Sequence, residues 1–120
     1  MSQISSCQTD MEKIGPGYWD ILSNISTEIL HNISKFEETK NMMLHILSKI
    51  QCDDCTPHIK YQIENDPMDN YKNIRIDGMY VGLCKWIWQF HNSVNTRKNK
   101  PQFSWNDFVN KYINIKPCKH

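Results

Sequence analysis

Two thiols stand two residues apart in the stretch Ile50-Gln51-Cys52-Asp53-Asp54-Cys55-Thr56-Pro57-His58. Such a pair can cycle between dithiol and disulfide, or supply two of the four ligands of a tetrahedral metal site. A stapled turn is the plain alternative. Three histidines, His45, His58 and His91, are available as further ligands, but there is no second CxxC and no HxxxH. Redox chemistry is therefore favoured over metal, and no metal site is expected. Thr56 and Pro57 suit an N-cap and a first helical residue, so a helix should begin between Asp53 and Pro57. Backbone N–H groups at such a start favour a thiolate, whereas Asp53 and Asp54 oppose it.

A second group is His91, Asn92 and Asn95. Residues four apart share a helix face, so His91 and Asn95 stand together beside apolar Ile87 and Val94. Polar side chains on such a stripe need partners. A planar heteroaromatic ligand would supply them, while for His91 alone a core histidine bonded to a carbonyl is the simpler account. Arg97, Lys98 and Lys100 follow at the helix end, where cations suit either a pyrophosphate or the helix dipole itself. A last group is Gly15-Pro16-Gly17-Tyr18-Trp19. No strand precedes it, which excludes the dinucleotide-binding glycine fingerprint and leaves a tight turn into a helix presenting Trp19.

The elements that position these residues read as helices. Trp19, Leu22, Ile25, Ile29 and Ile33 recur at helical steps. A second helix is expected from near Lys35 to Ile50, with Phe36, Met43, Leu47 and Ile50 on one face. A third runs from the CxxC to about Asn65, with Ile59 and Ile63 inward. The segment from Asn65 to Asp77 reads as turn. A fourth helix, about Gly78 to Arg97, carries Tyr80, Leu83, Cys84, Ile87, Phe90, His91 and Val94 as its stripe. Lys98-Asn99-Lys100-Pro101 stops it, and Ser104 caps a short last helix, Trp105 to about Ile113. No strand pattern is evident. The expected architecture is all-α, a four-helix bundle with a short fifth helix, between a polar leader (1–13) and a polar tail (114–120).

The 120 residues suit one domain. A net charge of +1 gives no electrostatic case for nucleic acid. Nowhere do eighteen apolar residues run together, so no membrane-spanning helix is expected. The first thirteen residues lack a signal-like apolar run, which points to a cytoplasmic protein. Five cysteines, Cys7, Cys52, Cys55, Cys84 and Cys118, leave at least one unpaired within a monomer.

Gly15-Pro16-Gly17-Tyr18-Trp19, Cys52-Asp53-Asp54-Cys55, and Phe90-His91-Asn92-Ser93-Val94-Asn95 followed by Lys100-Pro101-Gln102-Phe103 together resemble the Erv/ALR family of FAD-linked sulfhydryl oxidases. The similarity covers about Ile14 to Tyr112, and the Ser104-Trp105 and Tyr112 spacing resembles the small viral members, of African swine fever virus type. The resemblance implies a domain over 14–113 that holds FAD non-covalently at the bundle mouth, usually as a homodimer. It implies oxidation of dithiol protein substrates, with electrons passing through FAD to oxygen to give hydrogen peroxide, in host cytoplasm or virion for a viral member. Cys52 would exchange disulfides with substrate and Cys55 would face the flavin. Trp19 would lie against the flavin region, with Gly15 and Tyr18 also at the cofactor. His91, Asn92 and Asn95 would line its adenine and ribose side, Lys98 and Lys100 would sit near the phosphates, and Tyr112 would replace a family Trp. Ser23 stands where the family usually has His. The reading from another class is a non-catalytic, zinc-stabilised helical interaction module.

Overall fold

The computed structural model describes residues 15–50 and 55–114. The expected leader and tail with Cys7 and Cys118, and Gln51 to Asp54 with Cys52, lie outside the described residues.

The fold is built on the helix that buries the most side chains among the described residues. Helix α4 (Gly82–Arg97) buries Leu83, Cys84, Trp86, Ile87, Phe90 and Val94. Helix α1 (Gly15–Ser26) packs along it through Trp19 and Leu22, and α2 (Phe36–Ser48) packs against α1 through Phe36, Met43 and Leu47. Helix α3 (Cys55–Asn65) adds Cys55 and Ile59 to the same core. The expected helical bundle is present.

The first helix is shorter than its hydrophobic stripe. It ends at Ser26, and Thr27–Ile29 and Ile33–Lys35 are separate 3-10 turns. Polar side chains compete with the backbone here. The Ser26 hydroxyl donates to the Ser23 carbonyl at 2.6 Å, and Thr27 donates to Asn24 at 2.6 Å. Asn32 adopts an extended conformation and its side chain accepts from Ser34 N–H at 3.1 Å. The apolar residues nonetheless keep their destination: Ile29 is buried and Ile33 packs on the core.

The fourth helix starts at Gly82 rather than Gly78, and the expectation of no strand needs correction. Arg75–Ile76 (β1) and Met79–Tyr80 (β2) form a minimal antiparallel hairpin, pairing Arg75 with Tyr80 and Ile76 with Met79. Asp77 and Gly78 make the turn with φ of 53° and 80°. Asp-Gly is the dipeptide that two-residue hairpin turns prefer, because both central residues need positive φ. Tyr80 therefore belongs to a strand and not to the helical stripe. Its N–H donates to the Leu30 carbonyl at 3.0 Å, tying the hairpin to the end of the first helical segment. Gly82 is required by crowding: a Cβ there would lie 1.8 Å from the Tyr71 carbonyl oxygen.

At its other end α4 stops as expected. Asn99 takes the left-handed conformation (φ 57°), and the Lys100 N–H reaches back to the Asn95 carbonyl at 2.8 Å. This closes the last carbonyls of the helix, and Pro101 prevents its continuation. Ser104 caps the final segment by accepting from Asp107 N–H at 3.0 Å. The segment is α-helical over Trp105–Phe108 (α5) and then widens into a π-turn, Val109–Ile113. Among the described residues, no helix is long and apolar enough to cross a membrane.

Candidate functional site

The second turn of α1, the last turns of α4, the loop 99–104 and the π-turn meet around one cavity of about 310 Å³. Trp19 and Asp20 line it from α1, His91 and Asn95 from α4, Pro101, Gln102 and Phe103 from the loop, and Lys111 and Tyr112 from the π-turn. Spacing explains the α4 contribution, because His91 and Asn95 lie one turn apart on one face.

Trp19 and His91 are stacked, with ring centroids 4.2 Å apart and planes 10° from parallel. Trp19 is held in place edge-on by Phe90 at 5.5 Å. Burial is the main reason His91 has its pKa lowered to about 4; Lys111 and Lys100 push it the same way and Asp20 opposes them. The imidazole is therefore neutral at physiological pH, a planar ring with one donor and one acceptor nitrogen. The Tyr112 hydroxyl donates to the Asp20 carboxylate, and Lys111 Nζ lies 3.4 Å from the same carboxylate. Burial, then the bond to Asp20, raises the Tyr112 pKa well above the ordinary phenol value. The phenol remains a donor. Ser23 is buried on α1, and its hydroxyl bonds Tyr112 and pulls slightly the other way.

Of the residues singled out from sequence, Trp19, His91, Asn95 and Tyr112 are brought together at this cavity. Lys100 is exposed beside it, near enough to act on His91. Lys98 is half-buried at the α4 C-cap, outside the lining. Gly15 opens α1, and Tyr18 is half-buried against the core; neither lines the cavity. Asn92 points elsewhere: its amide donates to the Phe103 carbonyl at 2.8 Å and accepts from the Phe103 N–H at 2.7 Å. It clamps the loop that forms one wall. Asp20, Gln102, Phe103 and Lys111 were not anticipated as lining residues. For Asp20 no sequence signal was available, because the residue after a buried Trp ordinarily faces water.

Cys55 is buried at the start of α3, away from this lining. Beside it, between α2 and α3, lies a second cavity of about 260 Å³ with Leu47, Ile50, Thr56, Ile59 and Ile63 on its walls. Cys52 lies outside the described residues. Cys84 is a free thiol deep in the core: burial pushes its pKa up to about 12, and Ser26 Oγ donates to its sulfur at 3.3 Å. A thiol so protonated is no nucleophile. Among the described residues, no three His, Cys, Asp or Glu side chains are grouped to hold a metal ion.

The described residues thus form a small helical bundle with an aromatic-walled cavity, a neutral imidazole at that cavity and a buried cysteine at the start of another helix. The family model of the Erv1/Alr family matches residues 16–113, and the chain belongs to that family. The family is one of FAD-binding sulfhydryl oxidases. No curated protein matches the chain. The residues at the cavity fit part of FAD. The Trp19–His91 stack, Phe103 and Tyr112 suit a planar ring, Asn95 offers an amide, and Lys100 and Lys111 suit an anionic tail. The volume is at the lower end for small-molecule sites and matches a nucleoside-sized portion rather than the whole dinucleotide.

Proposed function

We propose that this chain is an FAD-dependent thiol oxidase that forms disulfides in dithiol protein substrates and passes the electrons to oxygen. The observation that carries the reading is the cavity in which Trp19, His91, Asn95 and Tyr112 converge, in a chain of this family that also carries Cys52-Asp53-Asp54-Cys55.

The cysteine pair performs the exchange. A substrate thiolate attacks the Cys52 sulfur of the Cys52–Cys55 disulfide, forming a mixed disulfide and releasing Cys55 as thiolate. The substrate's second thiolate then displaces Cys52. The substrate leaves as a disulfide, and the electron pair rests on two enzyme thiols. Cys55 opens α3, whose N-terminal N–H groups favour negative charge there. Bound FAD supplies the acceptor for that pair, which ends on oxygen as hydrogen peroxide.

The remaining residues hold the cofactor. Neutral His91 and Trp19 offer ring faces for the adenine, Asn95 a hydrogen-bonding amide, and Tyr112 a wall. Lys98 and Lys100 serve the phosphates, while Gly15 and Tyr18 shape the α1 entry. Asn92 acts through the loop. The Ser104-Trp105 and Tyr112 spacing resembles that of the small viral members, and that resemblance brings a homodimer and a host-cytoplasmic or virion setting into the proposal. Purified protein should be yellow and release stoichiometric FAD on denaturation. Colourless protein carrying stoichiometric zinc would overturn the reading and favour the zinc-stabilised module.

A further inference from the structure

We propose that Asp20 is a positioning residue whose carboxylate latches the π-turn 109–113 onto α1 and so holds Tyr112 and Lys111 as the wall of the ligand cavity. The role assigned to this wall rests on the reading of the cavity as the FAD site; the latch itself rests on geometry.

Three observations converge on Asp20. Among the described residues lining the cavity, it is the only carboxylate. It receives the Tyr112 hydroxyl across 92 residues of sequence, and Lys111 Nζ lies 3.4 Å from the same oxygen. The segment that delivers both partners is a π-turn, with Asn114 N–H donating to the Val109 carbonyl at 2.7 Å. In a regular α-helix, neighbouring side chains point about 100° apart. Here Lys111 and Tyr112 reach one carboxylate. π-Turns are rare and tend to occur at functional sites.

The two bonds differ in weight. The Lys111 pair is about half exposed on both sides, with side-chain exposures of 57% and 49%, so it contributes little alone. The phenol bond is partly buried and accepted by a carboxylate oxygen, which makes it the stronger. Asp20 also tempers the cations: Lys111 and Lys100 both oppose a proton on His91, and Asp20 favours it. A carboxylate in a cavity fit for an anionic ligand would otherwise be a liability. Paired with Tyr112 and Lys111, its charge is engaged within the wall.

The test is a double-mutant cycle with Asp20→Ala and Tyr112→Phe. It has two readouts: FAD affinity by titration into flavin-stripped protein, and amide hydrogen exchange of the protein as purified. Each single variant should weaken FAD binding about tenfold, the size expected for one hydrogen bond to a charged group. The double variant should be no worse than the weaker single within about twofold, because both changes break the same Asp20–Tyr112 bond. Exchange across 109–114 should accelerate about tenfold while amides of α4 stay protected. Asp20→Asn keeps an acceptor for the phenol and should recover part of the affinity. Unchanged affinity with unchanged exchange would overturn the latch, as would exchange rising equally in α4. If Asp20→Ala fails to fold, Tyr112→Phe, which keeps the ring, decides alone. If the wild type takes up no FAD, the reading of the cavity fails, and exchange over 109–114 still decides the latch.

Discussion

Asn92→Ala separates two ways a polar residue can serve this site. Its amide makes two bonds to the backbone of Phe103, at 2.8 and 2.7 Å. Removing it leaves the Phe103 N–H without that acceptor. The Phe103 carbonyl keeps a second donor, Trp88 Nε1 at 2.6 Å. One orphaned, partly buried donor costs about 1–3 kcal/mol. The loop can relax toward water, so about 2 kcal/mol is expected, or a Tm lower by roughly 8 °C for a chain of this size. Asn92→Asp restores an acceptor for the Phe103 N–H but sets a second oxygen against the Phe103 carbonyl, so it should recover only part of the loss. Because the same loop carries Pro101, Gln102 and Phe103 into the cavity, FAD retention should fall with stability. Thermal unfolding of flavin-stripped protein checks the first effect and flavin titration the second. Lost flavin with stability unchanged within about 0.5 kcal/mol would refute the clamp and return Asn92 to direct ligand contact.

His91→Ala removes the ring stacked on Trp19 and should weaken FAD retention more than it lowers the melting temperature of the stripped protein; the reverse order would mark His91 as a core histidine only. His91 should also make stability acid-sensitive. Its folded pKa, about 4, lies below the unfolded value of 6.5, so its contribution is present above pH 6.5 and is lost as pH falls toward 4. The full shift corresponds to about 3 kcal/mol, and solvent access to the ring reduces this to about 1–2 kcal/mol. Lys111, Lys100 and Asp20 face the ring, so the measurement is the difference between wild type and His91→Gln across that range; parallel pH curves would contradict it. Gly82→Ala should destabilise by about 3 kcal/mol or more, measured by denaturant unfolding, because its Cβ would meet Tyr71 backbone.

Helical period carried much of the fold. Phe36, Met43 and Leu47, and Leu83, Ile87, Phe90 and Val94, are buried where their spacing places them, since an apolar stripe has one place to go. The stops at Asn99 and the cap at Ser104 were legible because their chemistry is local. The hairpin was missed although Asp77-Gly78 announced it; Tyr80 fell in phase with the following helix and masked the turn. The break after Ser26 was missed because the apolar stripe continues through residues whose hydroxyls bond the backbone. At the site, His91, Asn95, Trp19 and Tyr112 were legible through period and family resemblance. Asp20 and Lys111 were not, because they depend on a π-turn and a contact between the two ends of the fold, neither of which leaves a local pattern.

On the proposed function, thiols are oxidised at Cys52 and Cys55 with FAD as the route to oxygen. The most direct measurement of this is oxygen uptake by the purified protein on addition of a small dithiol, with disulfide and peroxide counted. The wild type should consume one oxygen per disulfide formed and yield one hydrogen peroxide. Cys55→Ser and Cys52→Ser should each abolish this while retaining bound FAD. Dithiol oxidation that persists at the wild-type rate in Cys55→Ser, or wild-type protein with bound FAD that takes up no oxygen, would contradict the account.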